Sequence, residues 1–105
     1  MYERKIILGF IRVHILHHAA TDSNGIYGVG MINELRRHGY IISPGTLYPI
    51  LHEMKENNLL ITNKKIIDGK QRIFYTITKK GKETLDHLLQ FIKELSEEVI
   101  NHEHS

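Results

Sequence analysis

A chain of 105 residues is one domain, too short for a barrel enzyme or for a full dinucleotide-binding fold with a second domain. Its 41% hydrophobic and 25% charged residues are the proportions of a folded globular protein, not of a disordered chain. With no cysteine, disulfide scaffolds, thiol catalysis and cysteine-ligated zinc or iron–sulfur sites are excluded, and the expected setting is a reducing cytoplasm.

The formal net charge of +2 identifies no polyanionic partner, but the charge is unevenly placed. From Thr62 to Lys82, seven cations (Lys64, Lys65, Lys70, Arg72, Lys79, Lys80, Lys82) face Asp68 alone. From Glu83 to the end, Glu83, Asp86, Glu94, Glu97, Glu98 and Glu103 outnumber Lys93. A basic segment followed by an acidic one argues for two jobs in two places, although charge runs are usually plain solvated faces. No apolar run approaches the ~18 residues of a membrane span, so neither a membrane segment nor a leader is expected.

In chain order, residues 4–20 lack proline and read as a helix. Ile6, Ile7, Leu8, Phe10, Ile11, Val13, Ile15 and Leu16 point in nearly every direction at 100° per residue, leaving a polar stripe of Lys5, Gly9 and Arg12. A helix so apolar is buried on more than one side, and one side can belong to a second subunit. Thr21 to Gly25 is turn chemistry. A second helix is expected over 28–38, with Met31, Ile32 and Leu35 inward and Gly39 as its stop after Arg36, Arg37 and His38.

The third helix starts at Ser43, an N-cap, with Pro44 in the first helical position. Leu47, Ile50, Leu51 and Met54 make one apolar face, and Asn57-Asn58 closes it. Pro49 is a misfit expected to remove a hydrogen bond and bend the helix. Residues 60–67 and 70–77 favour β-structure and are joined by Asp68-Gly69, a strong type I′ hairpin signal. In the second strand Ile73, Tyr75 and Ile77 alternate with Arg72, Phe74 and Thr76. Thr78 caps a last helix over 79–101, in which Leu85, Leu88, Ile92, Leu95 and Val99 recur at 3-4-3-4 spacing, widened by Leu89 and Ile100. Such a stripe is either a core face or a pairing seam. Its place after a complete small core favours pairing.

Three helices, a hairpin and a helix predict an α+β, mainly α chain: a winged helix-turn-helix (1–78) with an added C-terminal dimerisation helix and tail (79–105). Double-stranded DNA is then the expected partner. The start of the third helix would present Ser43, Gly45, Thr46, Tyr48 and His52 to the major groove. The hairpin tip, with Lys64, Lys65, Lys70, Gln71 and Arg72, would lie on the backbone or in the minor groove.

Several segments carry a family resemblance. They are Leu16-His17-His18-Ala19, Tyr27-Gly28, Glu34-Leu35-Arg36-Arg37-His38-Gly39-Tyr40, Ser43-Pro44-Gly45-Thr46-Leu47-Tyr48-Pro49-Ile50-Leu51, Asp68-Gly69 and Tyr75-Thr76-Ile77-Thr78-Lys79-Lys80-Gly81. Together, over residues 6–95, the sequence resembles the PadR family of prokaryotic transcriptional regulators, in its short subgroup with one helix after the wing. The resemblance implies a homodimeric repressor paired through the last helix and the first. The positions concerned are Ile7, Phe10, Ile11, Leu85, Leu88, Leu89, Ile92, Leu95 and Val99. It also implies DNA contacts from Tyr27, Thr46, Tyr48 and the hairpin from Lys64 to Arg72. Asn58 stands where many relatives carry glycine, and the lack of tryptophan removes the flat aromatic ligand sandwich of some members. No cofactor is implied, and a small-molecule inducer is left undetermined.

His14, His17 and His18 share a helix face at i, i+3, i+4, a spacing that can bind zinc. Packing in the core or at the subunit interface is the preferred reading, so no metal is assigned. His102 and His104 fall in an expected frayed tail. Gly25, Gly28 and Gly30 lack the order of a phosphate loop and no strand is expected before them. With no recognisable catalytic arrangement, an enzyme is not expected. Most of the aromatic residues are expected in the core. Phe91 is the best candidate for an interface or ligand-facing aromatic, though the core reading outweighs it there too. Two alternatives to a DNA-binding regulator remain: a winged-helix protein-interaction module, disfavoured by the basic wing, and a small metal-binding protein using the three histidines.

Overall fold

A computed structural model describes residues 2–101. Helix α1 (Tyr2–Thr21) is followed by a short strand β1 (Ile26–Tyr27), helices α2 (Gly28–Arg37) and α3 (Pro44–Glu56), strands β2 (Leu60–Ile67) and β3 (Lys70–Ile77), and helix α4 (Lys79–Ser96). A π-helical turn, Glu97–Asn101, extends α4. The tail histidines His102 and His104 lie outside the described residues.

The hairpin has the expected bounds. Asp68 and Gly69 both take positive φ, 51° and 77°, as a type I′ turn requires. β1 was not expected. It pairs antiparallel with β3, Ile26 opposite Tyr75 and Tyr27 opposite Phe74, giving a three-stranded sheet in the order β1-β3-β2. Two residues are too few to show a period, so the pairing arises from tertiary context.

Helix α2 ends at His38, and Gly39 takes φ +92°, which lets the Tyr40 amide reach back to the Leu35 carbonyl at 2.9 Å. Helix α3 begins at Pro44 and closes on Asn57 with Asn58 at φ 63°, the left-handed cap that Asn tolerates. The helix runs through Pro49 without interruption, with Pro49 and Gly45, the residue whose carbonyl loses its partner in the helix ladder, both exposed. The Ser43 side chain makes no cap bond to the helix backbone, contrary to expectation. Its hydroxyl donates to Thr46 Oγ1 instead, at 3.4 Å.

Helix α4 does have a side-chain cap: Thr78 Oγ1 accepts from the Gly81 amide at 2.9 Å and donates to the Asn58 carbonyl at 2.6 Å. Gly81 is buried with no room for a Cβ against the Leu59 carbonyl, which lets the start of α4 approach the residue before β2 closely. One core joins Ile11, Ile15, Leu16 and Ala19 of α1 to Met31, Ile32 and Leu35 of α2, Leu47, Ile50, Leu51 and Met54 of α3, Leu60 and Tyr75 of the sheet, and Leu85 of α4. An Arg12–Glu53 ion pair at 3.2 Å ties α1 to α3 on the outside. Among the described residues no helix is long and apolar enough to cross a membrane.

The expectation that most aromatics are core fails. Phe74 and Tyr75 are buried, Tyr27 and Tyr40 half-buried, and Tyr2, Phe10, Tyr48 and Phe91 exposed. Phe91, at 64% exposure, lies well outside the core. Ile11 and Leu85 need correction as interface residues. At 1% and 6% exposure they are spent inside the protomer, because α1 and the start of α4 face the core there. Ile7 is half-buried against the same core.

Candidate nucleic-acid interface

The helix-turn-helix is built from α2 and α3, with the Gly39 turn between them. On α3, Leu47, Ile50, Leu51 and Met54 anchor the buried face. That leaves Gly45, Tyr48 and His52, spaced i, i+3, i+7, exposed together on the opposite face. Thr46 is half-buried and already engaged: its Oγ1 accepts from Arg4 Nη2 at 3.2 Å as well as from Ser43. His52 lies 3.7 Å from Glu56.

Tyr48 reaches across to the start of α2, where its ring covers Gly28 and leaves no space for a Cβ. Beside them the hairpin comes in. A shallow cleft of about 270 Å³ is lined by Tyr27, Gly28, Val29, Tyr48, Gln71, Arg72, Ile73 and Tyr75. It brings together residues of α2, α3 and the wing that lie far apart in sequence. Four of the expected DNA contacts, Tyr27, Tyr48, Gln71 and Arg72, line this cleft. Ser43, Gly45, Thr46, His52, Lys64, Lys65 and Lys70 do not line it. Gly28 was legible only as part of a motif, since its reason is a three-dimensional approach. The Tyr75 phenol beneath is pushed above its ordinary pKa, chiefly by burial and then by Tyr48.

The wing cations do not form one cluster at the tip. Strand alternation puts Lys65 and Arg72, which are paired across β2 and β3, on the face shared by Tyr27 and Phe74. Lys64 and Gln71 are on the other face. The Arg72 guanidinium stacks 5.0 Å over the Tyr27 ring. Lys65 sits 5.0 Å over Phe74 and donates to the Asn24 carbonyl at 3.1 Å. Lys80 is also occupied, donating to the Asn57 carbonyl at the end of α3. Lys64 and Lys70 are exposed.

The N-termini of α2 and α3 share a second feature. Neither has a side-chain cap bond or an acidic residue in its first turn. In α3, however, Pro44 has no N–H and the Thr46 and Leu47 amides already donate to the Ser43 carbonyl at 3.0 Å, so its positive dipole end rather than a set of free N–H groups faces an anion.

A second surface lies on the other side. α1 and α4 enclose an apolar groove of about 740 Å³, to which Phe10 and Val13 contribute from α1, Leu88, Leu89, Phe91, Ile92 and Leu95 from α4, and Val99 from the π-helical turn after it. Ile6 and Ile100 extend it. Ile6 and Val13 were not assigned to an interface because a helix apolar on all sides does not show which side is left over, whereas Phe91, weighed as an interface or ligand-facing aromatic, and Ile100, at the edge of the last helix's stripe, do line the groove.

Of the three histidines of α1, His17 is exposed, lines the apolar groove beside His14 and meets His18 edge-on with ring centroids 5.0 Å apart. His14 and His18 face the end of α2, where His38 joins them. Burial lowers the pKa of His14, with the charges of His38, His18 and His17 adding to the effect. Burial also lowers that of His18, against the opposing pull of Glu34.

Comparison with known proteins points in one direction. The family described as "Transcriptional regulator PadR-like family" matches residues 15–87. A Mycobacterium tuberculosis protein named transcriptional regulator Rv3488 is 42% identical over 90 residues, covering 86% of this chain and 82% of that protein. The crystal structure of a PadR-like transcriptional regulator from Bacillus cereus superposes with a TM-score of 0.87 at 28% identity, covering 96% of this chain and 98% of that one. A PadR-like transcription factor from Bacteroides fragilis gives 0.78 at 28% identity, covering 96% of each chain.

Proposed function

The chain belongs to the PadR-like family of transcriptional regulators, and from this premise we propose that it is a sequence-specific DNA-binding repressor acting as a homodimer on a two-fold operator. The observation that carries the reading is the cleft in which Tyr27, Tyr48, Gln71 and Arg72 meet. A recognition helix, the start of its partner helix and a basic wing converge there, as docking into a groove and onto its flanking phosphates demands. The starts of α2 and α3, with no acidic residue in either first turn, add positive dipole ends suited to phosphate. Arg72, steadied on Tyr27, and the exposed Lys64 and Lys70 add charge.

In this mechanism α3 enters the major groove with Gly45, Tyr48 and His52 outward. Phosphate contacts from the α2 terminus and the wing set its register, and side chains of α3 read base edges. Thr46 acts from the margin, its hydroxyl oriented by Arg4. A second copy covers the α1–α4 groove, removing Leu89, Phe91, Ile92, Leu95 and Val99 from water. The dimer then presents two α3 helices related by a two-fold axis. Occupying promoter DNA excludes other proteins, which is the simplest action these elements support.

A salt titration of binding to duplex DNA tests the DNA reading. Affinity should fall steeply with log salt, because phosphate contacts release counterions. Absence of binding at low salt by the folded dimer would leave a protein-interaction module instead.

A further inference from the structure

We propose that His14, His18 and His38, with Glu34 beside them, form a binding site for a zinc-type divalent transition-metal ion that joins α1 to the end of α2. One ring nitrogen from each of the three histidines lies within 4.8 Å of the others. A tetrahedral zinc with bonds of ~2.0–2.1 Å holds its ligand atoms about 3.4 Å apart, so modest side-chain rotations close the site. The rings are already gathered. His14 stacks on His38 with centroids 5.1 Å apart, His18 lies 6.0 Å from His38 and 6.1 Å from His14, and Tyr40 walls off His14 edge-on at 5.1 Å.

Two further observations point to a ligand. The Nε2 atom of His18 is buried and has no hydrogen-bond partner, a state that costs free energy unless something fills it. Glu34 Oε1 lies 3.2 Å from His38 Nε2 and 3.7 Å from His18 Nε2, close enough to serve as a fourth ligand or to orient an imidazole. Arg37 is paired with that carboxylate rather than directed at the rings. Three nitrogen donors with one carboxylate and no thiolate select zinc and its borderline neighbours over magnesium or calcium, which take oxygen. His17, which shares the α1 spacing, has no part in the site.

The site is tested without DNA, so its failure and that of the DNA reading are distinguishable. Untagged full-length protein, stripped with a chelator, is titrated with zinc chloride by calorimetry. The absorption of the cobalt(II) form reports the geometry. The expected result is one zinc per chain, with magnesium chloride inert. His38→Ala should weaken zinc binding at least tenfold, and His17→Ala should leave it unchanged. His38 is exposed at a helix end, so its loss leaves the fold intact, which circular dichroism of the metal-free variant verifies. Lack of zinc binding by folded wild type would overturn the proposal. So would binding that survives His38→Ala, or binding abolished by replacing His102 and His104 alone.

Discussion

The ring of Tyr48 on α3 lies so close over Gly28, the first residue of α2, that a Cβ at that position would overlap the phenol. At this point the two helices of the helix-turn-helix meet through one aromatic side chain on one bare α-carbon. Gly28→Ala should destabilise the protein by about 1–3 kcal/mol, the typical cost of overpacking. In a Tyr48→Ala background the same change should be neutral or slightly stabilising, since the alanine then meets open space in a helix. Denaturant unfolding of the four proteins checks the coupling. Additive effects would mean that the close approach of ring and glycine does not matter.

Along α4 the apolar stripe changes role. Leu85 is in the protomer core and Leu95 is 54% exposed in the groove. Leu85→Ala should cost about 2–5 kcal/mol, as large-to-small core changes do. Leu95→Asp should instead leave the protomer folded and halve the mass seen by light scattering, because a charge would be buried unpaired at the interface. Wild-type protein that is monomeric at tens of micromolar (a range in which ~1 μM affinity keeps most of a dimer together) would contradict the dimer.

On the wing, Lys64→Ala with Lys70→Ala should weaken binding to all DNA sequences alike. The slope of log K against log salt should flatten by about 0.9 for each phosphate no longer neutralised. Lys80→Ala should leave the slope unchanged, since Lys80 is engaged at the Asn57 carbonyl.

Arg72→Lys keeps the charge but removes the planar guanidinium that stacks on Tyr27. A several-fold drop in DNA affinity without change in the salt slope is expected. Wild-type affinity in this variant would show that the stacking is dispensable.

What could be read in the sequence was what local chemistry decides. The Asp68-Gly69 turn, Pro44 at the start of α3, Asn57-Asn58 at its end and the Thr78 cap all stand where residue type alone put them. The inward faces of α2 and α3 followed from their spacing. What escaped was non-local. β1 exists because Ile26 and Tyr27 find β3, some fifty residues away. His38 replaces His17 in the histidine cluster because the end of α2 returns to α1. Lys65 and Arg72 read as free cations until the fold placed Phe74 and Tyr27 beneath them. α1 is apolar on every side, so only the packed structure separates the core residue Ile11 from the groove residues Ile6 and Phe10.

A symmetric dimer that reads DNA with α3 is tested most directly by selecting bound duplexes from a random pool. Enriched sites should show two-fold symmetry, with half-site centres about 34 Å apart, one DNA turn, or a multiple of that. Tyr48→Ala should relax the preference at one or more symmetry-related bases. Enrichment of asymmetric sites, or no enrichment by folded protein at low salt, would contradict it.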